Sequence, residues 1–256
     1  MRDEAQLAFV RGWAEGAAAA AGQRCFMATW RRGDATGVAF QRGDGPAVIG
    51  ASAPEAAHAF AEALQDDHPQ LCGIVGARDA CEAFAGRWPT PEGKAFRLRH
   101  HMRDHVLRTL AMPASAPGTL RRAGVGDHEW LIAMQRAFAA EVRVRTSEAT
   151  LTAQVGERLA AGRYRIWNDG DDVAFAGFGL AGDGAARIAP VYTPPAFRAR
   201  GYASSLVAAI CAELQDAGRQ VFLVTDVDNP TSNALYARLG FVALGDCYAF
   251  ELEGMR

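Results

Sequence analysis

The chain has 256 residues, half of them hydrophobic, with a formal net charge of −2 and an isoelectric point of about 6.3. That length and hydrophobic share allow one large domain or two small ones with ordinary cores, and a near-neutral balance without a clustered basic face excludes a nucleic-acid footprint. Five cysteines, Cys25, Cys72, Cys81, Cys211 and Cys247, are widely spaced, odd in number and free of any Cys-x-x-Cys pair, which argues against a disulfide framework and predicts reduced thiols. The longest apolar run near the start, Ala17 to Ala21, is too short for a membrane span. Acidic residues before it and Arg24 after it make it a poor secretion signal. The expectation is a soluble cytoplasmic protein, monomer or homodimer, with no membrane partner; its richness in Ala, Gly and Arg suggests a GC-rich bacterial genome.

Residues 3–21 read as an amphipathic helix. Apolar runs at 25–30, 36–41 and 46–50 read as short strands, separated by Arg-Gly-Asp turns at 32–34 and 42–44. Ala53-Pro54-Glu55 opens a helix to about Leu64, since proline suits a first turn, where its missing N–H costs nothing. Leu71 to Val75 is a strand, Asp79 to Trp88 a helix stopped near Pro89, and Phe96 to Leu110 alternates as a strand does. Met112-Pro-Ala-Ser-Ala-Pro-Gly118 is the best linker signal in the chain. Residues 1–115 are therefore expected to form an α/β unit of their own, followed by a second unit over 118–256.

In that second unit, Leu120 to Val125 predicts a strand, and Asp127 caps a helix to about Val142 whose apolar positions Leu131, Met134, Phe138 and Val142 recur at helical spacing. Ser147-Glu148 begins another helix. Arg163 to Trp167 and Val173 to Leu180 form a hairpin around Asn168-Asp169-Gly170. Ala185 to Thr193 is the next strand. Tyr202 to Gly218 is a helix with Leu206, Val207, Ile210 and Leu214 on one face and Gly218 at its C-terminal end. Val221 to Thr225 is apolar enough to sit centrally. Pro230 to Leu239 is a helix, and Phe241 to Leu252 supplies closing strands.

The chemistry concentrates in the turn before the Tyr202 helix. A helix start offers unpaired N–H groups and the positive end of a dipole, so it favours an anion. Gly201 lets backbone approach a ligand closely, Ala203 is small, and Arg198 and Arg200 add positive charge. Arg198-x-x-Gly201-x-Ala203 resembles the (Gln/Arg)-x-x-Gly-x-(Gly/Ala) signature of the GNAT superfamily of acyl-coenzyme A N-acyltransferases. Downstream, Asn229-Pro230-x-Ser232-Asn233-x-Leu235-Tyr236-x-x-Leu239-Gly240-Phe241 resembles that superfamily's second motif at the expected spacing. The resemblance covers roughly residues 118–254. It implies a mixed α/β (α+β) fold with a mostly antiparallel central sheet flanked by helices. It also implies acetyl-coenzyme A as co-substrate, without a metal. Residues 1–115 carry no such signature; their element order is reminiscent of a degenerate GNAT-like half that binds no cofactor, as in tandem members.

By this resemblance, the backbone of Ala199, Arg200, Gly201, Tyr202, Ala203 and Ser204 cradles the diphosphate, with the Ser204 hydroxyl and the Arg198 and Arg200 guanidiniums in support. The strand end Val191, Tyr192 and Thr193, stopped by Pro194-Pro195, offers main-chain groups to the pantetheine arm and acyl carbonyl. Tyr236 occupies the position that commonly gives a proton to the departing thiolate. Asn229 and Asn233 can hold the cofactor through their amides, and Asn229 is equally a favoured helix cap. An acceptor amine needs a base, because deprotonating a group of pKa about 10.4 at pH 7 costs roughly 4.6 kcal/mol. The candidates are Glu141 first and Asp226 second, with Asp228 behind them. His100, His101 and His105 lack a Cys or acidic partner at metal-ligand spacing. The expected activity is acetyl transfer to a primary amine of a small or amino-acid-like acceptor, by direct attack in a ternary complex. A non-catalytic acyl-coenzyme A sensor and a protein N-terminal or lysine acetyltransferase stand as alternatives.

Overall fold

The computed structural model describes residues 25–42, 45–51, 53–67, 71–144, 146–180 and 184–254; the helix expected over 3–21 lies outside them. The first strands are β1 (Cys25–Arg32), β2 (Ala35–Arg42) and β3 (Ala47–Ala51), followed by helix α1 (Pro54–Asp67), β4 (Gly73–Gly76), α2 (Arg78–Arg87) and β5 (Phe96–Leu107). The second part runs β6 (Thr119–Arg122), α3 (His128–Glu141), α4 (Glu148–Ala160), β7 (Tyr164–Asp169), β8 (Asp171–Leu180), β9 (Ala185–Tyr192), α5 (Tyr202–Asp216), β10 (Gln220–Asp226), α6 (Pro230–Arg238) and β11 (Phe241–Leu252). Among the described residues, no helix is long and apolar enough to cross a membrane.

Among the described residues, eleven strands join one sheet in the order β1-β2-β3-β4-β11-β5-β10-β9-β8-β7-β6. Only β3–β4 and β9–β10 pair in parallel; the other neighbours are antiparallel. The sheet is therefore mixed and mostly antiparallel, flanked by helices, as the resemblance implied. It also runs unbroken across the expected boundary at residue 115. β5, from the first part, lies between β10 and β11 and pairs with both.

Periodicity explains the packing. On α5 the buried positions Leu206, Val207, Ile210, Cys211 and Leu214 form one stripe, and this stripe meets Ala186, Ile188, Val221 and Leu223 on the sheet, with Tyr236 of α6 and Phe241 of β11 beside it. The opposite face carries α3 and α4 on Tyr164, Ile166, Phe175 and Tyr192. A separate cluster under α1 and α2 holds Ile49, Phe60, Leu64, Ile74 and Phe84.

Local differences from the expectations have local causes. The strand expected over 120–125 stops at Arg122, because Val125–Asp127 form a 3-10 turn. Asp127 precedes α3 but makes no side-chain cap to it. Its carboxylate instead accepts from Gly124 N at 2.7 Å and from both terminal nitrogens of Arg121, at 2.8 and 2.7 Å. Phe241 to Leu252 is one strand with two register shifts rather than several strands. The segment 108–118 packs closely. Ala116 N donates to Ser205 Oγ at 2.9 Å, Trp167 Nε1 donates to Pro117 O at 2.7 Å, and Ala111 N donates to Leu239 O at 3.1 Å.

Candidate functional site

The site lies where β9 and β10 part. Their parallel pairing covers only Ala185, Ala186 and Arg187 opposite Gln220, Val221 and Phe222. Beyond that, β9 stays paired with β8 through Tyr192, and β10 stays paired with β5 through Asp226. The two arms thus leave each other's inner edges without a ladder, and Pro194 and Pro195 follow at once, unable to donate. The strand end expected at Val191, Tyr192 and Thr193 is the outer arm of this opening. Thr193 Oγ1 is buried with no hydrogen-bond partner among the described residues.

After β9, a short 3-10 turn (Pro195–Phe197) leads to the expected anion-binding turn. Ala199 has φ +61° and Gly201 φ +83°, so the backbone turns left-handed twice within three residues. Arg198 N donates to Pro195 O and Ser205 N to Gly201 O, whereas the N–H groups of residues 199–204 find no acceptor among the described residues. Six donors are thereby left unpaired at a helix N-terminus, where the dipole is positive. Successive N–H groups in such a turn form a concavity for an anion. The turn is anchored from below: Tyr202, 4% exposed, donates its hydroxyl to Asp169 Oδ2 at 2.6 Å, on the β7–β8 hairpin. Arg165, almost fully buried on β7, grips Glu213 of α5 through two bonds of 2.8 and 2.5 Å. Sequence reasoning found the hairpin and the helix, but no spacing signal joins Asp169 to Tyr202 or Arg165 to Glu213.

Arg198 does not stand free in solvent. Its Nε donates to Thr193 O at 2.9 Å, its Nη2 donates to Glu141 Oε2 at 2.6 Å, and its guanidinium lies 5.7 Å from the centre of the Tyr192 ring. Phe138, one turn before Glu141, meets the same ring edge-on at 6.3 Å. The structure thus brings Glu141, Arg198, Tyr192 and Thr193 together. The Glu141 carboxylate is here the acceptor of a guanidinium, and Glu141 in turn raises the Arg198 pKa above its ordinary value. Arg200 is exposed.

On the inner arm, Asp226 ends β10. Its Oδ1 accepts from Asp228 N at 2.8 Å, and its Oδ2 lies 4.0 Å from His100 Nδ1. Asn229 caps α6, its Oδ1 accepting from Ser232 N at 3.1 Å, so the capping alternative is realised. The Asn233 amide is engaged on protein. Its Oδ1 accepts from Thr225 Oγ1 at 2.6 Å, and its Nδ2 donates to the carbonyls of Asp226 and Val227, both at 3.1 Å. The Asn233 amide is thus committed at both ends to the junction of β10 and α6, whereas Asn229 uses only its oxygen in the cap.

Tyr236 is 8% exposed and packs edge-on against Phe241 at 5.8 Å. No hydrogen bond to its hydroxyl occurs among the described residues. Burial pushes its pKa well above the ordinary phenol value, with the neighbouring Cys211 adding to the effect, so the group is a neutral phenol at every ordinary pH. Burial likewise raises Cys211 to about 12, a core thiol rather than a nucleophile. Among the described residues, no group of His, Cys, Asp and Glu is arranged to hold a metal ion.

Comparison with known proteins bears on the same segment. The family model described as FR47-like protein matches residues 168–249, which include both parted strands, the turn and α6. No curated protein matches the chain. Among solved structures, a GCN5-related N-acetyltransferase from Kribbella flavida shares 15% identity over 97% of this chain and 96% of its own, with a TM-score of 0.65. A GNAT-family structure from Novosphingobium aromaticivorans shares 22% identity over 83% of this chain and 86% of its own, with a TM-score of 0.56. An acetyltransferase from the GNAT family of Colwellia psychrerythraea shares 14% identity over 84% and 80%, also with a TM-score of 0.56. Residues 168–249 thus match the FR47-like family across the parted strands, and the chain as a whole has the fold of these solved GNAT-family structures.

Proposed function

We propose that the chain is an N-acetyltransferase that moves the acetyl group of acetyl-coenzyme A to a primary amine of a small or amino-acid-like acceptor, with both substrates bound together. The observation that carries this reading is the run of six N–H groups at residues 199–204 that find no acceptor among the described residues, in the turn that follows the parted end of β9. A diphosphate fits such a cradle: its oxygens only accept, the donors are fixed backbone, and the helix dipole has the right sign. The opening between β9 and β10 then suits an extended arm with amide groups, because it leaves main-chain edges unpaired. Bound there, acetyl-coenzyme A supplies a thioester, whose carbonyl carbon forms a bond to nitrogen as its bond to sulfur breaks.

The chain's own groups have separable tasks. Main-chain groups of Val191, Tyr192 and Thr193 steady the acyl carbonyl as charge develops on its oxygen. Tyr236 holds its proton and donates it toward the departing sulfur. A thiolate whose thiol has a pKa of about 8.5 is a weaker base than a phenolate, so transfer between equally solvated groups is uphill. Burial raises the phenol but also destabilises a thiolate beside it, so the shared burial does not by itself widen the gap. Glu141, at the end of α3 beside Arg198, and Asp226, at the end of β10, are the candidate bases. We read residues 1–115 as a degenerate GNAT-like half without a cofactor site, which helps shape the acceptor side.

A panel of primary amines with acetyl-coenzyme A, read by free thiol release, tests the reading. Amine-dependent thiol release is the expected result. Coenzyme A binding without release across the panel moves the reading to an acyl-coenzyme A sensor. Absence of binding refutes the site.

A further inference from the structure

A chain of buried polar groups runs beneath α6. His105, on β5 and 7% exposed, has its Nε2 3.0 Å from Thr225 Oγ1 on β10. Thr225 contacts Asn233 Oδ1 at 2.6 Å. The direction of the chain is set at its far end. Asn233 Nδ2 faces two carbonyls, those of Asp226 and Val227, and carbonyls only accept. The amide nitrogen must therefore stand on that side and the oxygen on the Thr225 side. Thr225 then gives its single proton to Asn233 and has only lone pairs to offer the imidazole. His105 consequently carries its proton on Nε2. Its bare Nδ1 is buried, without a partner among the described residues. Burial first, and Arg103 second, hold the imidazole below its ordinary pKa against the opposing pull of Asp246, which keeps the ring neutral.

Asn233 and Tyr236 are three residues apart on α6 and share a face. The chain therefore clamps the helix to the carbonyl end of β10 one turn before Tyr236, at the inner arm of the opening. We propose that His105 is a positioning residue for acetyl transfer: by donating from Nε2 to Thr225 it orients Thr225 and Asn233, and so fixes where the Tyr236 hydroxyl stands. The inference rests on the reading of Tyr236 as the proton donor. It gives β5 a part in the reaction geometry, although β5 precedes every motif of the signature in the sequence.

The test uses the full chain, acetyl-coenzyme A and an amine accepted in the panel, with His105→Leu, His105→Gln, Thr225→Val, Tyr236→Phe and the His105→Leu/Tyr236→Phe pair. A misplaced catalytic group costs about ten- to a hundredfold in rate. His105→Leu and Thr225→Val are expected to lower kcat by that amount while leaving the coenzyme A Kd within about twofold. His105→Gln, which restores an N–H donor, recovers most of the loss, and His105→Leu adds nothing once Tyr236 is Phe. If Tyr236→Phe is impaired but His105→Leu and Thr225→Val keep full kcat, or lower it equally with and without the phenol, the positioning role is wrong and the Tyr236 assignment survives. Failure of glutamine to recover the rate also overturns the role. If Tyr236→Phe keeps full kcat, the proton-donor assignment falls and the inference falls with it. Should His105→Leu not fold, Thr225→Val carries the kinetic arm. Long-range proton–nitrogen NMR of the unmodified chain reads the tautomer directly, and a proton on Nδ1 overturns the inference.

Discussion

Gly201→Val tests the diphosphate cradle most directly. Gly201 stands at φ +83° and ψ −3°, immediately before the first turn of α5. A Cβ added there reaches the Ala116 Cβ at 3.5 Å, an ordinary contact, but the two γ-methyls of valine must fit beside a residue that is 8% exposed and held by Ser205. The backbone is the larger difficulty. A left-handed L-residue costs about 1–2 kcal/mol, and a β-branched one is a genuine outlier. The turn relaxes by rotating Gly201 out of that region, which redirects the N–H groups on either side. A hydrogen bond to a charged group contributes about 1.5–3 kcal/mol, and 1.4 kcal/mol is a factor of about ten. Losing one such bond weakens coenzyme A binding about ten- to a hundredfold. Isothermal titration of coenzyme A and of pantetheine, with thermal denaturation alongside, separates the outcomes, because pantetheine lacks the diphosphate. Its affinity is expected to change by less than about twofold while that of coenzyme A falls. Equal losses for both ligands, or an unchanged coenzyme A affinity with a lowered Tm, would refute the cradle.

Two further expectations follow from buried charge. Removing the counter-charge of a buried pair costs roughly 3–5 kcal/mol. Glu213, at 42% exposed, is half open to solvent, while Arg165 is 4% exposed and keeps bonds to Gly162 O and Tyr164 O. Glu213→Ala should therefore cost about 2 kcal/mol, a Tm drop of about 4–8 °C at this size; a shift under about 1 °C counts against the bridge. The second concerns pH. Because burial lowers the folded-state pKa of His105, the unfolded chain takes the proton first. The stability it contributes is present above about pH 6.5 and is lost as pH falls through the folded value. His105→Gln should flatten the fall in urea midpoint between about pH 7 and 5. Asp127, Asp172 and Asp246, all lowered by arginine partners, act with the same sign below about pH 4. Parallel pH curves for the two proteins would contradict the burial argument.

The elements that the sequence displays most clearly are those with local causes. α5 is legible because Leu206, Val207, Ile210 and Leu214 repeat at helical spacing, and Gly218 stands just past its end with φ +71°. The β7–β8 hairpin is legible because Gly170 takes φ +79° where Asn168-Asp169-Gly170 predicts a turn. Asn229 caps α6 because a short carbonyl side chain before Pro230 has few better places to go. The non-local partnerships are illegible. Nothing near Arg198 announces that its guanidinium reaches back to Glu141, 57 residues earlier, and nothing near Asn233 announces Thr225 and His105 behind it. Asp127 looks like a helix cap in sequence, yet Arg121 outcompetes the helix for its carboxylate, since two charge-assisted bonds exceed one cap.

The place of β5 is the deepest of these non-local facts, and it bears on what the first part of the chain does for the site. β5 is read from sequence as the last strand of a self-contained unit, followed by the Met112–Gly118 stretch. In the fold it is held from Phe96 to Leu107 against β11 and from Met102 to Val106 against β10. Without it, β10 would have no neighbour on that side, and the inner arm of the opening would become an edge strand with unpaired groups. The two arms stay parted beyond Arg187 and Phe222 because each is held from outside, β9 by β8 and β10 by β5. The opening proposed to receive the donor is thus kept by a strand outside the signature segment. His105, on that same strand, joins the support of β10 to the placement of α6. The motifs mark where the cofactor is expected to bind; the geometry that keeps the place open depends on β5.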